Sequence, residues 1–453
     1  MCTTEVGYTA LRQKHLERNF KMKILLTHAY AKDNKGDAAI ISVLLQQLNN
    51  AFPTSTIIIS IYDDDTKYKD FEGHRVISNS MYISVYRFRK KALKLIYACY
   101  IEISLLLWAL LYRILGYSIP FILPERARNI AGEYVASDLF VPVGGGYLRT
   151  KKGIAGSIDL LLLLNPIFIG SLLKKPIILY TQSIGPFATS FQRWVTGVVL
   201  NRTQLIFVRE GHTILTLKTI GVKAKLITRT TDAGFLFDSA KEFQLSDIIK
   251  DAEALKAKTL VGITVRKWLN QEGQNNFEKA VAKFINMITE DEDKNIRILF
   301  IPQVTSTTHN DDDRVVASRI VDLVVNKQQV FNCTDAYDHY ELKKLYSCLD
   351  FLVGTRFHSV IFSLTSYVPA LAIEYEYKTS GIMNDLGLSE WVIPIEQVTA
   401  DNLYEKFRQL LSEGDIYKQK LRDVLPEYIL KAKEVENQMK DAYHNFKLLN
   451  VNR

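Results

Sequence analysis

The sequence predicts an α/β fold of two Rossmann-like domains, each a parallel sheet flanked by helices, facing each other across a cleft. Short apolar runs alternate with longer helical patterns along the chain, which is typical of strand–helix–strand units. The 453 residues are also more than one ordinary hydrophobic core accommodates. Together these observations predict a GT-B-like arrangement, with ligands bound where the strands end at the cleft.

Ten apolar runs are expected to form strands, five in each half of the chain. They are residues 24–27, 56–62, 138–143, 177–181 and 205–209, and then 260–266, 296–301, 329–333, 351–354 and 370–374. The expected divisions are an N-terminal extension (1–21), a first domain (22–237) with an apolar helical insert (90–123), a linker (238–258), a second domain (259–396) and C-terminal helices (397–453).

The bulk composition restricts the partners. The net charge of +8 favours an anionic partner without choosing among nucleic acid, phosphorylated substrates and lipid headgroups. No Lys/Arg-rich stripe interleaved with aromatic residues occurs, so nucleic acid is not expected. The four cysteines are scattered without a close pair, which favours a reducing compartment and therefore the cytoplasm.

The insert at residues 90–123 contains an apolar helical pattern nearly long enough to span a bilayer. Lys91, Glu102 and Arg113 fall on one narrow polar stripe of that helix, which leaves a wide apolar face. Basic residues from Arg87 onward precede it and suit anionic headgroups. Three placements stay open: docking through residues 87–123 at the inner face of the cytoplasmic membrane, burial in the protein or an oligomer, and a membrane span, which Glu102 disfavours.

Polar or glycine-rich segments follow four strands of the first half. Asn34 and Asp37 precede a predicted helix whose free N–H groups attract anions, although helix capping alone also explains them. Gly145 and Gly146 follow the next such strand, where glycines permit either a tight turn or the close approach of a ligand. The other two strand ends supply Gln182, Ser183 and Arg209.

Charged side chains stand at the strand ends of the second half. Arg356 and His358 follow the strand 351–354 and open a short helix, so a guanidinium, an imidazole and free backbone donors would face the cleft together. This combination predicts a pocket for a phosphate or a carboxylate. Lys378 is either a second phosphate contact or a solvated side chain. Arg266 and Gln303 are also expected at the cleft.

No zinc-protease, P-loop or nucleophile-elbow motif occurs, and no metal site is expected. Asp311, Asp312 and Asp313 are adjacent in sequence, so their carboxylates would point in different directions. We therefore expect a solvated turn at these residues rather than a metal site.

Taken together, these segments resemble the polysaccharide pyruvyl transferase family. The matching residues occur in the family's order and are Asn34, Gly36, Asp37, the glycines 144–146, the segments 182–186 and 208–210, Asp232 and the segment 354–359. The resemblance implies a GT-B-like fold and phosphoenolpyruvate as donor. It also implies a saccharide acceptor with two suitably placed hydroxyls, free or lipid-linked, in cell-surface polysaccharide assembly. Arg209, His358 and Lys378 are implied to matter for activity.

The implied reaction protonates the methylene carbon of phosphoenolpyruvate, adds one sugar hydroxyl, expels phosphate and closes a cyclic ketal with the second hydroxyl. It needs no cofactor. His358 is expected to be the general acid/base, since an ordinary histidine pKa of about 6.5 suits proton transfer at neutral pH. Arg356 and Arg209 would hold the carboxylate and the phosphate. The alternatives are a GT-B glycosyltransferase that uses a nucleotide sugar, and a non-catalytic membrane-docked scaffold.

Overall fold

A computed structural model describes residues 21–30, 32–62, 70–79, 91–239, 259–290, 295–306, 311–335 and 337–451. Almost all of the expected N-terminal extension and of the expected linker therefore lies outside the described residues. The elements of the first half are β1 (Lys23–Ala29), α1 (Lys35–Ala51), β2 (Thr56–Ile61), β3 (Asp70–Phe71), β4 (His74–Ser78), α2 (Lys91–Leu115), α3 (Glu125–Ala136), β5 (Leu139–Pro142), α4 (Ile154–Leu172), β6 (Ile178–Gln182), α5 (Ser190–Leu200), β7 (Leu205–Val208), α6 (Gly211–Thr219) and β8 (Ile227–Arg229).

The strands of the first half lie in the order β3-β4-β2-β1-β5, followed by β6-β7-β8. Isolated parallel bridges from Phe140 to Ile177 and from Gly145 to Gln182 connect the two groups. All pairings are parallel except β3 with β4. Because side chains alternate along a strand, Leu25 joins a core with α2 to α6, whereas Ile24 faces the opposite side with α1.

The second half contains β9 (Thr259–Thr264), α7 (Gln271–Thr289), β10 (Ile296–Phe300), β11 (Thr305–Ser306), β12 (Asp311–Asp312), α8 (Asp313–Leu323), β13 (Val330–Asn332), α9 (His339–Ser347), β14 (Phe351–Gly354), α10 (Phe357–Leu364), β15 (Ala370–Glu374), α11 (Lys378–Asp385), β16 (Val392–Pro394) and α12 (Ala400–Val451). Its main sheet is parallel, in the order β13-β10-β9-β14-β15-β16. The ten expected strands are all present, and the α/β prediction of parallel sheets flanked by helices is confirmed.

The C-terminal segment is one helix of 52 residues, α12, which packs on both halves. Its first part contacts the second half, where the Tyr417 hydroxyl donates to the Ala370 carbonyl at 3.1 Å. Its later part contacts the first half, where Gln47 Nε2 donates to the carbonyl of Ala432 at 2.9 Å. The helix therefore bridges the two sheets on the side of α1.

The expected apolar insert forms α2, which lies on the outer side of α4. Within the described part of the chain, α4 is the one helix long and apolar enough to cross a membrane by length and composition. A core helix of a soluble protein has the same properties, and α4 packs between α2 and α5.

Candidate functional site

The two halves of the chain meet where the loop before α1 pairs with the segment after β10. Asn34 forms an antiparallel bridge with Val304. The Lys35 amide donates to the carbonyl of Gln303 at 3.1 Å. These backbone bonds bring the N-terminus of α1 and the strand ends of the second half to one place, as the sequence predicts for a cleft.

The N-terminus of α1 is organised by Asn34. Its Oδ1 accepts from the amides of Gly36 and Asp37 at 3.1 and 3.4 Å, and its Nδ2 donates to Asp37 Oδ2 at 2.8 Å. Asn34 is therefore a helix cap, as the simpler interpretation expects. Burial raises the pKa of Asp37 to about 6, against the opposing effects of the charges of Lys378 and Arg209.

His358 lies on the first turn of α10, directly opposite α1. Its Nε2 is 3.8 Å from Asp232 Oδ1, and among the described residues this buried nitrogen has no hydrogen-bond partner. Burial lowers the pKa of His358 to about 4, with the charge of Asp232 opposing the shift. The imidazole is therefore neutral at pH 7. A neutral imidazole can accept a proton but has none to donate as an imidazolium, so the site favours a general base over the combined acid/base role expected from an ordinary pKa.

Arg356 is held by two carboxylates of the Asp311–Asp313 segment, so the expectation of a solvated turn there was wrong. Its Nη2 donates to Asp311 Oδ1 at 2.6 Å and to Asp313 Oδ1 at 2.5 Å. Asp313 is 2% exposed, and its Oδ2 also accepts from the backbone N–H of Gln303 at 3.0 Å. Asp312 caps α8 and binds Arg314 instead. The three adjacent carboxylates do point in different directions, but each one is paired with an arginine.

Arg209 lies behind the cleft rather than in it. Its side chain is 1% exposed, its Nη1 is paired with Asp232, and its Nε donates to Ser183 Oγ at 3.0 Å. The ring of Phe357 lies 5.4 Å from its guanidinium carbon. In this position Arg209 forms an ion pair with Asp232 and adds positive electrostatic potential to the cavity. Direct contact between Arg209 and a bound anion would require the ion pair with Asp232 to break.

Lys378 and Arg266 both approach the phenol of Tyr375, a residue that no sequence motif indicates. The Lys378 Nζ lies 5.7 Å from the Tyr375 ring and the Arg266 guanidinium 4.3 Å from it. Burial opposes ionisation of Tyr375, but the charges of Lys378 and Arg266 outweigh it and lower the pKa to about 8. Lys378 is also paired with Glu376 at 3.1 Å and its side chain is 18% exposed, so it is not a solvated lysine.

These groups enclose a cavity of about 60 Å³ between the two halves. Six of the predicted site residues line it. The full lining is Asn34, Asp37, Gln303, Val304, Arg356, Phe357, His358, Tyr375 and Lys378. A larger groove of about 420 Å³ lies farther along α1, but its lining contains no lysine or arginine, so the smaller cavity suits an anion better.

The remaining predicted residues support the cavity from the side of the first half. Gln182 Nε2 donates to the Val143 carbonyl at 2.7 Å and to the Tyr147 hydroxyl at 2.9 Å. Ser183 accepts from Arg209 and donates to Glu210. Gly145 has a φ of 150°, and an added Cβ on Gly146 would lie 3.9 Å from Arg209 Nη2. Ser183 holds the Arg209 side chain, and none of these four residues is in the lining of the cavity.

The cavity combines three cations (Arg356, Lys378 and the adjacent Arg266), a neutral imidazole and a phenol with a lowered pKa. The N-terminus of α10 has no side-chain cap and also faces this region. Such a site can bind an anion with two charged ends and exchange protons with it. Within the described residues no cluster of three or more His, Cys, Asp or Glu side chains could hold a metal ion.

Comparison with known proteins agrees with the sequence resemblance. The family described as polysaccharide pyruvyl transferase matches residues 34–377. The chain is 24% identical over 431 residues to the amylovoran biosynthesis protein AmsJ of Erwinia amylovora, covering 90% of this chain and 97% of that protein.

Solved structures share the fold. A glycosyltransferase from Rickettsia africae aligns with a TM-score of 0.54 at 13% identity, covering 94% of this chain and 98% of that one. A UDP-N-acetylglucosamine 2-epimerase from Neisseria meningitidis, bound to UDP-GlcNAc, aligns with a TM-score of 0.52 at 12% identity, covering 92% and 99%. At such low identity these structures establish the GT-B-like architecture only.

Proposed function

Because the chain belongs to the polysaccharide pyruvyl transferase family and is a transferase, we propose that it transfers the carbons of phosphoenolpyruvate to a saccharide and leaves a cyclic pyruvate ketal. The observation that carries this proposal is the cavity in which Arg356, Lys378 and His358 meet. Phosphoenolpyruvate has a phosphate at one end and a carboxylate at the other, which matches cations distributed around a small pocket.

In this proposal the anionic ends of the donor are bound by residues of the second half. Arg356 offers a planar fork, which suits a carboxylate or phosphate, and Lys378 offers a point charge. Both are paired with carboxylates of the chain, namely Asp311, Asp313 and Glu376. Donor binding therefore involves exchange of these ion pairs.

We assign the proton transfers to two residues. The Tyr375 phenol, protonated at neutral pH, donates a proton to the methylene carbon, which becomes the methyl group and leaves a cationic centre at C2. A sugar hydroxyl attacks C2 while neutral His358 accepts its proton. Phosphate then leaves C2, and the second hydroxyl attacks the same carbon. Of the two hydroxyl protons, one replaces the proton lost by Tyr375 and the other leaves with the phosphate, so no redox partner is needed.

The acceptor is proposed to be a sugar of a cell-surface polysaccharide or of its lipid-linked precursor. AmsJ is named for the biosynthesis of amylovoran, which supports a polysaccharide context. A nucleotide-sugar glycosyltransferase would have the same architecture, and the structural relatives do not distinguish the two activities.

The test incubates the purified protein with phosphoenolpyruvate and a panel of monosaccharide glycosides, and follows phosphate release together with the acceptor mass. The proposal expects phosphate release that depends on the acceptor, with a mass gain equal to pyruvate less one water. A parallel set of reactions contains UDP-sugars in place of phosphoenolpyruvate. Glycosyl transfer from a UDP-sugar, without any reaction of phosphoenolpyruvate, would support the alternative instead.

A further inference from the structure

The outer face of α2 is a continuous apolar surface. The inner face of this helix packs on the protein, with Ile101, Leu105 and Trp108 at most 2% exposed. The exposed apolar residues of α2 are Leu93, Ile96, Tyr100, Ile103, Leu106, Leu107, Leu110, Ile114 and Leu115. Most of them follow one another at intervals of three and four residues, which places them along one side of the helix. An exposed helix face is ordinarily polar, and no element of the described part of the chain covers this one.

The polar side chains of α2 that the structure describes mostly turn away from this surface. Glu102 accepts from Asn165 Nδ2 of α4 at 2.5 Å, and the Ser104 hydroxyl donates to the carbonyl of Tyr100 at 2.7 Å. The Trp108 indole donates to Ser118 Oγ at 3.0 Å. Arg113, near the end of the helix, is exposed. The polar stripe predicted from sequence is therefore divided, with its carboxylate facing the protein and a cation facing outward.

The apolar surface continues beyond the helix and is rich in aromatic residues. Tyr117 and Phe121 follow α2 and are both largely exposed. Tyr100 is also exposed on α2, and the Arg128 guanidinium lies 6.0 Å from the Phe121 ring. Aromatic side chains with a polar tip are favoured at the boundary between a lipid phase and water, because one end is apolar and the other is solvated.

The charge of this part of the chain is strongly one-sided. Residues 73–124 contain seven lysines and arginines but one acidic residue, Glu102. Five of the basic residues precede or begin the helix: Arg87, Arg89, Lys90, Lys91 and Lys94. The single carboxylate is turned toward Asn165, and the sequence of the segment is otherwise apolar and basic. That combination complements an anionic lipid surface better than a second copy of the same basic segment, which would repel it.

We propose that α2 docks the protein on an anionic membrane, with the helix parallel to the surface and its apolar face among the headgroups. The cytoplasmic leaflet, which carries the anionic lipids, is the surface concerned. The exposed leucines and isoleucines of α2 enter the apolar boundary, and the basic composition of the segment favours anionic headgroups. This docking does not depend on the proposed donor or acceptor.

The test measures co-flotation of the full-length protein with vesicles of phosphatidylglycerol and phosphatidylcholine. The decisive variant is I96E/I103E/I114E, since these three side chains are 65%, 65% and 76% exposed on the outer face. Its matched control is V315E/V325E/I416E, which alters three side chains of the second half that are 54%, 77% and 69% exposed. Circular dichroism melting of each protein verifies folding.

The expected result is that the wild type and the control float with the anionic vesicles, and that I96E/I103E/I114E loses at least tenfold in the bound fraction. Raised salt, or vesicles of phosphatidylcholine alone, should also weaken binding. Absence of wild-type binding, or equal binding by all three proteins, would overturn the proposal. A wild-type dimer that ignores vesicles and that I96E/I103E/I114E converts to a monomer would instead identify the face as a contact between copies.

Discussion

The imidazole of His358 occupies the space that a side chain on Gly36 would need, because a Cβ there would lie 2.0 Å from His358 Nδ1. Gly36 is on the first turn of α1 in the first half, and His358 is on the first turn of α10 in the second. The glycine thus lets two helix N-termini from different halves approach each other across the cavity. The close contact with Gly36 therefore sets the position of the neutral imidazole relative to the carboxylates of Asp37 and Asp232.

Gly36→Ala is expected to displace the imidazole and reduce turnover with phosphoenolpyruvate at least tenfold. Forcing one methyl into so close a contact should also cost about 1–3 kcal/mol of stability. The measurements are phosphate release and the free energy of unfolding in urea. Gly211→Ala is the control, since an added Cβ there meets nothing within 4 Å at the start of α6. Normal turnover of Gly36→Ala would mean that the position of His358 does not matter for catalysis.

His358→Ala is expected to fold and to lose roughly 10²–10⁴-fold in turnover, the range for removal of a general acid or base. Because burial lowers the pKa of His358 to about 4, the neutral base is present across the range from pH 5 to pH 8. The wild type should therefore show no loss of activity near pH 6.5 that arises from this residue. His444→Ala, on the exposed side of α12, is the control. Near-normal turnover of His358→Ala would remove the imidazole from the mechanism.

Tyr375→Phe tests the proposed proton donor through the pH profile. The phenol donates only while it is protonated, and nearby cations lower its pKa to about 8, so the activity of the wild type should fall above that pH. In Tyr375→Phe turnover should fall about 10²-fold and the remaining activity should lack this alkaline limb. Tyr367→Phe, at an exposed position, should keep both the rate and the limb. If Tyr375→Phe still lost activity above about pH 8, that loss would arise from the titration of another group.

Much of the fold follows from local sequence, whereas the partners of the site residues do not. The strand at Phe351–Gly354 is a compact apolar run between turn residues, and the prediction and the structure agree on its bounds. Strand β8 (Ile227–Arg229) was missed, since three residues carry no periodic signal. The cavity residues at strand ends were found because the carboxyl ends of parallel strands gather at one edge of a sheet.

The parts that could not be predicted depend on tertiary packing. Asp313 is 43 residues from Arg356 in sequence, and only the placement of α8 brings its carboxylate to the guanidinium. The lowered pKa of Tyr375 arises from Lys378, which is three residues away in sequence, and from Arg266, which only the fold brings to the phenol from the segment after β9. The carboxylate of Glu102 likewise points toward the protein because it accepts a hydrogen bond from Asn165, which is 63 residues away in sequence.

Arg356→Lys tests whether the fork geometry, and not only the charge, is required at the cavity. The guanidinium donates to both Asp311 and Asp313, and a lysine ammonium cannot reproduce this arrangement. We expect the loss of charge-assisted hydrogen bonds at this buried site to lower the free energy of unfolding by about 1.5–3 kcal/mol.

Turnover of Arg356→Lys should fall as well, with a higher KM for phosphoenolpyruvate if the arginine contacts the donor in its ground state. Arg319→Lys is the matched control, because Arg319 pairs with Glu278 at a side chain that is 45% exposed. Arg319 is not in the cavity lining and Glu278 also accepts from Gln274, so this change should leave turnover intact and cost less stability than Arg356→Lys. Equal stability losses in the two variants would show that Asp311 and Asp313 do not depend on the guanidinium. A stable Arg356→Lys protein with normal KM and kcat would exclude Arg356 from donor binding, since the fork is the property that the substitution removes.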